Sequence, residues 1–128
     1  MLIGREPELA AVQEALRNSR LVSLVGLGGI GKTVVAETLA RRVEDAYPGG
    51  VILVRFAGRD ELITPILDAL GEGAGELDVV EAAALALARR ARVLLVLDEV
   101  EHLAHEAPLL LRLLEESEAS ILATSQVP

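Results

Sequence analysis

The chain has 128 residues, about one domain on the usual scale of roughly 100–200 residues each, and a formal net charge of −8 from 12 basic and 20 acidic side chains. That charge excludes a general affinity for nucleic-acid backbones, and two aromatic residues, Tyr47 and Phe56, cannot build a stacking platform for single strands. The absence of cysteine excludes disulfides and thiolate metal sites, while a hydrophobic content of 52% rich in aliphatics suits a parallel sheet buried on both faces.

The first residues carry Arg5, Glu6 and Glu8 with no long apolar core behind them, so they do not read as a signal peptide. No uncharged apolar stretch reaches the ~18 residues needed to span a membrane, and a cytoplasmic chain without a membrane partner is expected. Apolar residues at 9, 12 and 16 between charges predict an amphipathic helix from Glu6 to Asn18, with Pro7 in its first turn. Leu21–Val25 reads as a buried strand ending in glycines, Lys32 to about Asp45 as a helix stopped at Tyr47-Pro48-Gly49-Gly50, and Val51–Phe56 as a second strand. A helix over Glu61–Leu70 closes at Gly71, and the acidic, glycine-rich stretch 71–76 is a surface connector. Asp78 and Glu81 give a capping signal for a helix to about Arg90. Val93–Leu97 is the third strand, Leu103 to about Glu116 a helix in which Pro108 marks a break or a fresh start, and Ser120–Thr124 the fourth strand. Alternating strands and helices predict right-handed crossovers and a parallel sheet in a single domain over 1–128.

Gly26-Leu27-Gly28-Gly29-Ile30-Gly31-Lys32-Thr33 matches the phosphate-binding pattern G-x-x-x-x-G-K-[ST], with a strand before it and a helix after it. Glycines let the main chain approach phosphate oxygens closely, and free amides at a helix N-terminus form an anion nest. Lys32 would reach the β- and γ-phosphates, and the Thr33 hydroxyl would ligate Mg²⁺. Of the 12 basic residues Lys32 is the single lysine, a compact charge that fits a tight loop better than a planar guanidinium. A rival pattern, the dinucleotide fingerprint G-x-G-x-x-G, also fits Gly26, Gly28 and Gly31. It calls for an acid at the end of the second strand, where Arg55 and Phe56 stand instead. No Asn-Lys-x-Asp guanine motif occurs.

The third strand ends in Asp98-Glu99. In open α/β sheets ligands sit at the carboxyl ends of strands, so Asp98 should share the cradle's crevice and hold the Mg²⁺ water shell. Glu99 is the candidate general base for a water; the competing reading of both acids is simple capping and solvation. The polar end of the fourth strand, Thr124-Ser125-Gln126, could sense a γ-phosphate or be ordinary strand-end polarity. His102 and His105 have helical spacing for a metal pair but no evident third ligand, which favours surface histidines.

Ile3-Gly4-Arg5-Glu6 ahead of a helix, then LVGLGGIGKT, LLVLDEVEHL and ILATSQVP, in that order, resembles the nucleotide-binding domain of STAND or NB-ARC signal-transduction ATPases, in particular bacterial regulators. The resemblance implies a three-layer P-loop core with strand order 5-1-4-3-2, of which this chain carries about four strands in the order 1-4-3-2. An N-terminal segment and helix over 1–20 would precede a core over 21–128, and the C-terminal helical and winged-helix domains of a longer parent would be absent. It further implies ATP or ADP with Mg²⁺ and a nucleotide-driven switch. Ile3, Gly4 and Arg5 would border the adenine, Gly28, Gly29, Ile30, Gly31, Lys32 and Thr33 hold the phosphates, and Thr33 and Asp98 the metal, with Lys32 and Glu99 as the catalytic pair. Gln126 stands where the family carries an arginine that reads the γ-phosphate.

Two readings therefore stand side by side: a slow ATPase that acts as an ATP/ADP switch in signalling or transcriptional regulation, and a domain that holds nucleotide without cleaving it. The amide of Gln126 cannot neutralise developing charge, which favours the second, as do the missing partner domains, and a first strand left at a sheet edge would be exposed to pairing between copies. A dinucleotide-binding Rossmann domain is the third.

Overall fold

The computed structural model describes residues 6–25 and 29–125, and of residues 29–33 the backbone alone. In chain order the elements are α1 (Glu6–Asn18), β1 (Leu21–Val25), α2 (Gly29–Val43) running into a 3-10 turn (Glu44–Ala46), β2 (Val51–Arg55), α3 (Ile63–Ala69), α4 (Val79–Ala88), β3 (Leu94–Asp98), a 3-10 segment (Glu101–Glu106), α5 (Ala107–Glu115) and β4 (Ser120–Ser125). The strands form one parallel sheet in the order β1-β4-β3-β2, as the resemblance implied. In doubly wound dinucleotide folds the first two strands are neighbours. Here β4 lies between β1 and β3, and β2 sits at the far edge, which removes the Rossmann reading. Among the described residues β1 pairs with β4 alone, so it is an edge strand.

The central strand β3 is buried throughout, and its side chains alternate between two apolar layers. Leu94 and Val96, with Leu122 of β4, face Leu9, Val12 and Leu16 of α1 and Val35, Ala36 and Leu39 of α2. Leu95, Leu97 and Ile121 face Phe56 and the helices α3, α4 and α5. The three apolar positions of α1 recur at helical spacing and supply its buried stripe, as expected from the sequence.

Several boundaries differ from expectation, among them β2, which ends at Arg55 rather than Phe56, and β4, which runs to Ser125 rather than Thr124. α2 starts at Gly29 rather than Lys32, since the first turn of a helix needs no acceptor for its amides and glycine is tolerated there. β3 runs from Leu94 to Asp98 rather than from Val93 to Leu97, because Asp98 pairs in register with Arg55 of β2. α3 starts at Ile63 rather than Glu61, where the main-chain N–H of Leu62 donates to Glu106 Oε1 at 2.9 Å. The predicted helix over 103–116 is a 3-10 segment followed by α5, with Leu103 off helical geometry and Pro108 in the first turn of a fresh helix.

The punctuation follows known chemistry. Asp78 caps α4 by accepting from the amides of Val80 and Glu81. Gly71, at φ +75°, closes α3 in a Schellman arrangement: its amide bonds Asp68 O, and that of Glu72 bonds Leu67 O. At Gly49 a methyl group would lie 2.1 Å from the carbonyl oxygen of Ala91, so the turn before β2 approaches the start of β3 as only glycine permits.

Candidate functional site

Parallel pairing puts the C-terminal ends of all four strands on one edge. Val25 is in register with Ser125 and Leu24 with Thr124, while Leu97 pairs with Ala123. The glycine-rich sequence that follows Val25 leads into the N-terminus of α2, so the positive end of that helix lies at the same edge.

At the centre of this edge Asp98 and Thr124 are buried, with 2% and 0% exposure. The Thr124 hydroxyl donates to Asp98 Oδ1 at 2.5 Å and accepts from the main-chain N–H of Glu99 at 3.0 Å. Two further main-chain bonds fix the corner: the amide of Phe56 donates to Asp98 O at 2.9 Å and that of Val100 to Thr124 O at 3.0 Å. Asp98 is thus a carboxylate held in one orientation at the end of an apolar strand.

Glu99 adopts φ +62° and is the one non-glycine residue in the left-handed region among the described residues. That conformation costs a residue with a Cβ about 1–2 kcal/mol and is worth keeping only where the turn has a use. Here it carries the chain out of β3 as Glu99 joins Ala57, Gly58, Glu101 and His102 around a cleft of about 260 Å³. His102 Nε2 donates to the carbonyl of Arg59 at 2.7 Å, whereas His105 lies 3.6 Å from Glu106 Oε2. The two histidines thus engage different partners. Among the described residues no group of three or more His, Asp or Glu side chains is arranged to hold a metal by itself.

Of the predicted site residues, Asp98 and Glu99 stand together at this edge. Gly29, Ile30, Gly31, Lys32 and Thr33 form the first turn of α2 by backbone, their side chains lying outside the described set. Ile3, Gly4, Arg5, Gly28 and Gln126 lie outside the described residues. The pairing of Thr124 with Asp98 is an addition. The sequence marked Thr124 only as a polar strand end, although a strand order with β4 beside β3 already brings the two together.

Comparison with known proteins gives a consistent result. The family model described as an AAA domain matches residues 15–125, a span that includes the glycine-rich sequence, Asp98, Glu99 and Thr124. Uncharacterized proteins of Mycobacterium bovis and Mycobacterium tuberculosis are each 33% identical over 108 residues, which is 79% of this chain and 26% of theirs. The chain spans about a quarter of the length of these curated relatives. The fold is similar to the crystal structure of Pif1 helicase from Candida albicans, with a TM-score of 0.60 over 98% of this chain and 33% of that one, at 20% identity. Among the described residues no helix is long and apolar enough to cross a membrane. With strand order and family match in agreement, the chain belongs to the AAA domain family of P-loop NTPases, a family of nucleotide-binding domains.

Proposed function

We propose that this domain is a Mg²⁺-dependent ATP/ADP-binding module and a slow ATPase, used as a nucleotide switch in signalling or transcriptional regulation in the manner of STAND and NB-ARC proteins. The observation that carries the reading is the Thr124–Asp98 pair, a buried and oriented carboxylate on the strand-end edge where the glycine-rich sequence enters α2. Its donor set suits a hard cation: a carboxylate at the strand end, with the Thr33 hydroxyl supplied by the cradle sequence. Thr33 and Asp98 would hold Mg²⁺, which when bound neutralises charge on the phosphate oxygens.

The chain's own residues would do the rest. Main-chain amides over Gly28–Thr33 would cradle the phosphates and the Lys32 ammonium would meet the β- and γ-oxygens. Glu99 would accept the proton of a water attacking the γ-phosphate in line, Gln126 would line the γ-phosphate end, and Ile3, Gly4 and Arg5 would border the base.

Calorimetry with ATP, ADP and GTP, with and without Mg²⁺, tests the reading. Wild type should bind both adenine nucleotides, more tightly with Mg²⁺, and Lys32→Ala should weaken ATP by at least about tenfold, the loss of one charge-assisted phosphate contact. Equal heats from the two proteins would defeat the assignment. The second reading, nucleotide held without cleavage, is favoured by Gln126, whose amide cannot neutralise developing charge. Single-turnover phosphate release that disappears in Glu99→Gln would exclude it.

A further inference from the structure

At the opposite edge of the sheet, where strands begin and helices end, a cavity of about 220 Å³ is lined by Arg17 of α1, Arg42 of α2 and Arg92 of the turn before β3, together with Gln13, Asp45 and Tyr47. Three arginines from three separate elements line it on a molecule of net charge −8. The helix dipole accounts for two of them, since Arg17 and Arg42 lie in the last turns of α1 and α2, where a cation is favoured. It does not account for Arg92, which belongs to no helix.

Arg92 is also placed differently from the other two. Arg17 pairs with Glu14 at 2.6 Å, and Arg42 with Glu6 at 2.7 Å and with Gln13 Oε1 at 3.4 Å. The Arg92 guanidinium lies 5.1 Å from the centroid of the Tyr47 ring. A cation–π contact with the ring of a buried tyrosine attracts a guanidinium without consuming its hydrogen-bond donors. The partners of Arg17 and Arg42 are exposed carboxylates, and such surface pairs are weak enough for a multivalent anion to displace.

We propose that this cavity is an accessory anion site, separate from the nucleotide edge, that takes a small phosphoryl oxyanion such as pyrophosphate or a phosphorylated metabolite. Arg92 supplies the fork, Arg17 and Arg42 close on the anion from the helix ends, and Gln13 adds an amide donor. Asp45 opposes binding.

The chain has one tyrosine and no tryptophan, so its intrinsic fluorescence reports this cavity and not the nucleotide edge. The probe is inorganic pyrophosphate, titrated at constant ionic strength into the wild type and into Lys32→Ala. A saturable change in Tyr47 emission is expected in both, because the site does not use the cradle. Arg92→Gln should weaken it about tenfold or more, the loss of a charge-assisted contact, while Asp45→Asn should tighten it. Arg112→Gln, a substitution on α5 away from the cavity, should leave it unchanged. Three results would overturn the proposal: an emission change matched by sodium chloride at the same ionic strength, equal titrations in wild type and Arg92→Gln, or a response lost in Lys32→Ala. Tighter binding of citrate than of pyrophosphate would overturn the ligand class. Circular dichroism of each variant, unchanged from wild type, separates loss of binding from loss of fold.

Discussion

Thr124 carries more than its side chain's size suggests. Its hydroxyl donates to the Asp98 carboxylate and accepts from the amide of Glu99, so a single buried oxygen ties one acid's side chain to the other's main chain. Thr124→Val keeps the shape and leaves a buried carboxylate short of a donor and an amide short of an acceptor. We expect a loss of about 1–3 kcal/mol in urea denaturation, since two hydrogen bonds are lost at a buried site. Thr124→Ser should recover most of it; equal midpoints for the valine variant and wild type would show that the hydroxyl is idle. Glu99 presents the opposite case, a residue whose main chain is held in a conformation that costs energy. Glu99→Gly relieves the left-handed backbone and should raise stability by about 0.5–1 kcal/mol after glycine's own entropic cost. If Glu99 is the base, the same change abolishes phosphate release under single-turnover conditions. A variant that is more stable and still turns over would leave the strained conformation without a catalytic reason.

Elements were legible where their own side chains define them. α1 was read to both ends because Pro7 opens it and Leu9, Val12 and Leu16 mark one face. The start of α2 was missed because its first turn is set by main-chain amides, which leave no side-chain period behind. The end of β3 was missed because Asp98 looks like the residue after a strand until β2 pairs with it. Periodicity gave four strands but not their order, which came from the family resemblance, and the Thr124–Asp98 contact depends on that order. Contacts between distant elements were equally silent. Arg20 bridges α5 and β4, donating to Leu114 O and Ser117 O at 2.6 Å and to Ala119 O at 2.9 Å, with its charge at the helix C-terminus. Glu6 of α1 meets Arg42 of α2, and the hydrogen bond from that guanidinium, reinforced by its charge, holds the Glu6 carboxyl below its ordinary 4.5. A lowered acid pKa means stability that is present above about pH 4.5 and is lost as the pH falls through the lower folded value. Glu6→Gln should therefore melt slightly below wild type at pH 7 and level with it in acid beneath both values. The gap should shrink with added salt, as an exposed pair requires. A difference that grows on acidification would reverse the assigned sign.

Across the whole molecule, burial is uneven in a way that should show in its dynamics. β3 and β4 are buried along nearly their full length, sandwiched between the layer of α1 and α2 and that of α3, α4 and α5. β1 is covered on one face only: Val22 and Leu24 pack toward α1 and α2, whereas Leu21 and Val25 are 36% and 42% exposed. That open face borders an apolar groove of about 180 Å³ shared with Leu62, Leu103 and Leu110. An edge strand with one bare face has less to lose on opening than a central one, so amide exchange should follow a gradient. Amides of β3 should exchange only through global unfolding, and those of β1 through a cheaper local opening. The nucleotide reading then makes a sharper demand. β1 leads into the glycine-rich sequence and α2 follows it, so the edge strand with the more exposed face is also the one tied to the cradle. A ligand that binds only the closed form adds about 2.7 kcal/mol at a hundredfold excess over Kd, and this should slow β1 and the first turn of α2 more than it slows β2 at the other edge. With ATP and Mg²⁺, protection confined to those segments in wild type and absent in Lys32→Ala is the expected pattern. Protection spread evenly over the sheet, or equal in the two proteins, would separate the edge strand from the nucleotide.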